Sequence, residues 1–96
     1  METDKHYLAH LLEHIDEHKF YPRSARRRGL EGRIEVSFHL LEDGNIRDLR
    51  VTGSSRVLRT ATEQAIQRAL PMPAPHGSIK LQQRVNFDME YRLEKT

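Results

Sequence analysis

Residues 32–52, GRIEVSFHLLEDGNIRDLRVT, carry the pattern that decides the fold. From Gly32, apolar Ile34, Val36, Phe38 and Leu40 alternate with polar Glu35, Ser37 and His39. This period of two puts successive side chains on opposite faces of an extended strand. Asp43-Gly44 follows, a pair suited to the positive φ angles of a tight hairpin, and Ile46 to Thr52 resumes the extended pattern with Leu49 and Val51 on one face. The stretch is a β-hairpin with one apolar side, and such a side requires a covering layer.

The flanking segments supply that layer. Upstream, from Lys5 to Lys19, Leu8, Leu11, Leu12 and Ile15 recur at helical spacing among charges, which predicts an amphipathic helix. Tyr21-Pro22 stops it, because proline cannot continue the hydrogen-bond ladder and disfavours the α region in the residue before it; a turn or extended segment is expected next. Downstream, Gly53-Ser54-Ser55 breaks the strand, and Leu58, Ala61, Ala65, Ile66, Ala69 and Leu70 give a second helix ending at Pro71. Pro71, Pro73, Pro75 and Gly77 mark a stiff surface connector. From Ile79 to Leu93 every odd position except Gln83 is apolar, a third strand long enough to project or bend beyond the sheet.

Helix, hairpin, helix and strand make an α+β fold in the order α-β-β-α-β. The expectation is a small three-stranded antiparallel sheet with two helices packed on one face. Connecting strands 2 and 3 through a helix lets strand 3 lie beside strand 1, which leaves strand 3 at an edge. Residues 1–19 form the N-terminal helical part and residues 20–96 the remainder of one domain.

Composition narrows the function. With 96 residues, 36% of them hydrophobic and 31% charged, the chain suits one globular domain and is too apolar for a disordered tail. No apolar run approaches the roughly 18 residues of a membrane span, and the N-terminus lacks a secretory signal. The absence of cysteine excludes disulfides and thiolate chemistry. Five acids fall in residues 1–18, and Arg23, Arg26, Arg27, Arg28 and Arg33 follow. A basic stretch beside an acidic one reads as a solvated or internally paired surface, and with no nucleic-acid motif present no nucleic-acid partner is expected.

Catalytic chemistry finds little support. His10-Leu11-Leu12-Glu13-His14 matches an inverted zinc-protease pattern, but catalysis needs a third ligand, an open coordination position and a cleft that so small a chain can hardly house. His6, His10, His14 and His18 recur every four residues. A solvated polar face is the foremost interpretation, with adventitious metal binding and pH sensing as alternatives. No catalytic triad, phosphate loop or dinucleotide motif occurs, so neither an enzyme nor a cofactor is expected.

An ordered set of small motifs resembles the C-terminal domain family of TonB energy transducers. It comprises Tyr21-Pro22, Ala25-Arg26, Gly29, Glu31-Gly32 with Val36 and Phe38, Asp43-Gly44, Val51, Ser54-Ser55, Ala65 and Pro71-Met72-Pro73 before the last strand. Leu70, Met72 and Arg56 stand where the family often has an aromatic, a phenylalanine and a glycine. The resemblance covers about residues 20–93. It implies the receptor-binding end of a protein anchored in the inner membrane of a Gram-negative bacterium. A proline-rich spacer would cross the periplasm, and ExbB and ExbD would engage the N-terminal part. Met1 would then be a start supplied for expression.

The implied partner is the TonB box of outer-membrane transporters for siderophores, haem or cobalamin. An extended peptide adds to an exposed strand edge through main-chain hydrogen bonds. The expected contact stretch is Arg84, Val85, Asn86, Phe87, Asp88, Met89 and Glu90, with outward Arg84, Asn86, Asp88 and Glu90 either selecting the peptide or only keeping one face wet. The family's segment before Tyr-Pro corresponds to His18, Lys19 and Phe20, and Tyr21 and Pro22 either join the contact or serve only to pack and steer the chain. An exposed edge also admits a strand-exchanged homodimer. The alternatives are a TolA-like envelope interaction domain and a small basic nucleic-acid-binding domain.

Overall fold

The computed structural model describes residues 5–73 and 83–93. Three helices and three strands follow in the order α1 (Lys5–Glu17), α2 (Arg23–Arg27), β1 (Gly32–Leu40), β2 (Ile46–Thr52), α3 (Arg56–Arg68) and β3 (Gln83–Tyr91). The strands form one antiparallel sheet in the order β2-β1-β3, with β3 beside β1 as expected. Residues 79–82 of the anticipated last strand and most of the proline connector lie outside the described residues. Among the described residues no helix is long and apolar enough to cross a membrane.

Alternation in β1 translates directly into burial. Ile34, Val36, Phe38 and Leu40 are buried and face Met89, Phe87, Val85 and Gln83 across the β1–β3 ladder. The Phe38 and Phe87 rings meet edge to face at 6.1 Å. Helix α1 covers this side with Tyr7, Leu11 and Ile15, spaced four apart, and α3 adds Leu58, Ala61, Ala65, Ile66 and Ala69. Ser55 caps α3 by accepting from the Leu58 N–H at 3.2 Å, satisfying one of the donors that a helix start leaves free.

One polar pair is built into this core. Thr62, fully buried, donates its hydroxyl to the Leu58 carbonyl at 2.8 Å. That leaves its oxygen to accept from the buried Tyr91 hydroxyl at 3.1 Å.

Three local features differ from the sequence expectation. The segment after Tyr21-Pro22 is neither a turn nor extended, but the single-turn helix α2. Pro22, at φ −58°, is pre-set to start it, and the Leu30 N–H closes it on the Ala25 carbonyl at 2.9 Å around Gly29, whose φ is +67°.

The hairpin is not a two-residue Asp-Gly turn, because only Gly44 takes positive φ, at +90°. Residues Leu41–Gly44 form a turn in which the Gly44 N–H reaches the Leu41 carbonyl, and the Asp43 carboxylate accepts from the Asn45 backbone at 3.0 Å. A side chain at Gly44 would collide with the Met72 backbone, which donates to the Gly44 carbonyl at 2.7 Å.

The third difference lies in β2, where the register shifts between Ser37 and His39. Asp48 (φ +55°) and Leu49 together oppose Phe38 in a β-bulge. The extra residue lets Ile46 and Leu49, three apart, both turn to the core side, so Ile46 joins Leu49 and Val51 there as partly buried residues.

Candidate functional site

Which backbone groups of β3 are free follows from the alternation in β1. The Leu41 N–H donates to Asn45, so odd positions of β1 point toward β2 and even positions toward β3. The registered partners of those even positions, Val85, Phe87 and Met89, therefore point inward. Arg84, Asn86, Asp88 and Glu90 turn their N–H and C=O groups away from the sheet, and their side chains are exposed. A separate contact agrees: the Lys19 ammonium donates to the Glu90 carbonyl from outside the sheet.

The edge is not a bare rim. Leu12, Glu13, Ile15 and Asp16 of α1 form one wall of a groove whose other wall is Phe87, Asp88 and Met89. The sequence pattern placed Leu12 in the apolar stripe of α1, but the buried stripe is Tyr7, Leu11 and Ile15, and Leu12 stays half-buried at the groove. Two side-chain bonds hold α1 in place. The His14 ring Nε2 lies 2.8 Å from the Ala69 carbonyl, so it carries a proton and donates to the C-terminus of α3. The Tyr7 hydroxyl donates to the Pro73 carbonyl at 2.8 Å.

His14 is thus a tether between helices, not part of a uniformly solvated stripe. His18 turns back through Nδ1 to the His14 carbonyl at 3.0 Å, closing the end of α1, and the two rings stand 5.0 Å apart. His10 is exposed. Among the described residues no group of three metal-ligating side chains assembles.

The expected contact residues separate into two places. Lys19 joins Arg84 to Glu90 at the edge, and its ammonium also lies 5.1 Å from the centre of the Tyr91 ring. Phe20 and Pro22 lie instead against α3, in a shallow apolar depression with Val57 and Ala61, where Arg68 stacks over Phe20 at 5.2 Å. Tyr21 sits between the two, its ring edge-on to Tyr91 at 5.5 Å and its hydroxyl donating to the Leu30 carbonyl. That bond ties the entry of α2 to the start of β1. Sequence reasoning did not find Leu12, Glu13 and Asp16 because their place beside β3 depends on how α1 packs, which periodicity alone leaves open.

Charge along the edge is uneven. Arg33 reaches Asp88 and Glu90, each at 3.9 Å, and Arg92 reaches Glu90 at 3.3 Å; among the described residues these are the carboxylate pairs. At the other end, Arg47, His39 and Arg84 occupy one cross-strand row on the wet face. The arrangement offers hydrogen-bonding backbone, an apolar cleft and graded charge, which suits binding of an extended segment.

The comparisons with known proteins point the same way. Residues 17–93 match the family described as Gram-negative bacterial TonB protein C-terminal. The TonB protein of Pseudomonas aeruginosa is 32% identical over 77 residues, covering 78% of this chain and 22% of that protein. The TonB protein of Helicobacter pylori is 32% identical over 73 residues, covering 73% of this chain and 26% of that protein. The chain therefore spans about a quarter of the length of these curated relatives.

Solved structures agree in fold. The solution structure of the Helicobacter pylori TonB C-terminal domain superposes with a TM-score of 0.77 at 27% identity, covering 98% of this chain and 87% of that one. The Pseudomonas aeruginosa TonB C-terminal domain superposes at 0.65 with 30% identity, covering 81% of each. Sequence match over most of the length, the β2-β1-β3 sheet and the helices on one face converge: this chain belongs to the TonB C-terminal domain family, a family of non-catalytic interaction domains.

Proposed function

We propose that this domain is the periplasmic, receptor-binding end of a TonB energy transducer, and that it takes the TonB box of an outer-membrane transporter as a fourth strand along β3. The observation that carries this is the outward row of N–H and C=O groups on Arg84, Asn86 and Asp88 beside the groove under α1. An added strand would satisfy those groups and cover Phe87, which is only half-buried in the free domain.

The geometry also suits a mechanical role. Tension along two paired strands loads several hydrogen bonds together, whereas tension across them would break the bonds singly. An upstream membrane anchor engaging ExbB and ExbD would supply force drawn from the proton gradient, and the transporter plug would receive it. Uptake of siderophores, haem or cobalamin is the process this serves.

Proline substitution tests the proposal. Asn86→Pro removes an outward donor and leaves the β1–β3 ladder intact, so the domain stays folded by circular dichroism while its affinity for a TonB-box peptide falls at least about tenfold. Asn86→Ala, which keeps the N–H, binds nearly as the unaltered domain does. Normal peptide binding by the folded proline variant would show that the partner uses another surface.

A further inference from the structure

The exposed side chains of β3 run Arg84, Asn86, Asp88, Glu90, with a cation at one end and acids at the other. In a strand pair, residues directly opposite share a face with their Cβ atoms about 5 Å apart, where opposite charges stabilise and like charges destabilise. A strand added at β3 would therefore place one side chain beside Arg84 and another beside Asp88, four residues or about 13 Å away.

Both ends are reinforced by neighbours. His39 and Arg47 continue the Arg84 row across the sheet. No carboxylate lies within 4.0 Å of Arg84 among the described residues, and Arg33 offsets only part of the acidic end. On the wet face Glu35 stands directly opposite Asp88 and adds negative charge, while on the helix side of the edge the cleft of Leu12 and Phe87 is apolar.

We infer that the edge selects a dipolar partner segment, an inference that rests on strand addition at β3. That segment is an extended peptide with an acidic side chain opposite Arg84 and a basic one opposite Asp88, four residues apart. Of the three residues between them, the two opposite Val85 and Phe87 turn apolar side chains to the other face, toward Leu12 and Phe87. The order of the two charges sets strand direction: the base comes first in an antiparallel pair and the acid first in a parallel one.

The test uses five octapeptides of alternating valine and threonine that differ only at their second and sixth positions. These hold lysine and glutamate, glutamate and lysine, two lysines, two glutamates, or two glutamines. Titration calorimetry against the 96-residue chain should show one or both mixed-charge peptides binding about fivefold more tightly than the glutamine peptide. The two like-charged peptides should show no such gain. In Arg84→Glu, an exposed substitution checked for folding by circular dichroism, the preference should move to the two-lysine peptide.

Equal affinities across the set, with the glutamine peptide still bound, would overturn charge selection and leave strand addition standing. If even the glutamine peptide fails to bind at millimolar concentration, both fail. A second copy of the chain is the competing occupant, because antiparallel pairing about Asn86 sets Arg84 against Asp88. Sedimentation that finds a stable dimer no peptide dissociates would also overturn the inference.

Discussion

The two edges of this sheet are built differently. β2 has 7 residues, is broken by a bulge at Asp48 and carries Arg47, Asp48 and Arg50 exposed along it. β3 has 9 residues, keeps one unbroken register against β1 and lies beside a groove. Bulges and charges are common devices for keeping an edge from pairing with other chains. Charges line both edges, since β3 exposes Arg84, Asp88 and Glu90, but only β2 is bulged, and the unbroken register of β3 is what strand addition requires.

The largest effect expected from breaking this comparison comes from prolines on the two edge strands. Val85→Pro removes an inward donor and a buried side chain from the middle of the β1–β3 ladder, and should cost about 3 kcal/mol or more in thermal or denaturant unfolding. Val51→Pro, on the outward register of β2, should cost about 1 kcal/mol and leave peptide affinity unchanged. Equal destabilisation by the two would mean that both edges are needed alike.

Asp48→Val asks whether the bulge guards β2. A β-branched residue resists the left-handed region, so the variant should lose about 1 to 2 kcal/mol if the bulge persists. If the strand straightens instead, it should gain a second strand-pairing edge, seen as concentration-dependent association in light scattering.

His14→Leu tests the groove rather than the strand. It deletes the bond to the Ala69 carbonyl, at an expected cost of about 1 kcal/mol. Because α1 forms one wall beside β3, peptide affinity should fall with it, while β2 is untouched.

The smallest expected effect is alkaline. Burial pushes the Tyr91 hydroxyl above the ordinary tyrosine value of 10.0, despite the Thr62 bond that acts the other way, and burial raises Tyr7 as well. Both groups are neutral acids held protonated by folding, so their contribution is fully present below about pH 10 and is lost as pH rises through the raised values. The melting temperature should be flat in this respect to about pH 10 and then fall, and Tyr91→Phe should reduce the fall.

Much of this fold was legible because strand periodicity is a local signal. The bounds of β1 and β2, the third strand's inward Val85 and Met89 and the run of α3 all follow from alternation or helical spacing in the chain itself. What periodicity cannot carry was missed. α2 is 5 residues long, too short for a repeat, and is held by Ala25 in the core and Gly29 at its end. The bulge puts Asp48 at positive φ, a conformation that an aspartate inside a strand pattern does not advertise in sequence.

The candidate site was legible to the same degree. The edge follows from strand order, but the groove wall of Leu12, Glu13 and Asp16 exists only once α1 is packed, and His14 becomes a tether only because the end of α3 arrives beside it.

Lys19 gives the open edge a measurable length. Its ammonium occupies the outward carbonyl of Glu90, so a strand aligned with β3 has free backbone from Arg84 to Asp88 before it meets that side chain. Five residues at about 3.3 Å each make a berth of roughly 17 Å. A longer guest must displace Lys19 from both the carbonyl and the Tyr91 ring or bend away from the sheet there. Under the proposed strand addition, the domain would hold a short length of its partner, and the point where the guest leaves the sheet would be set by a single flexible side chain.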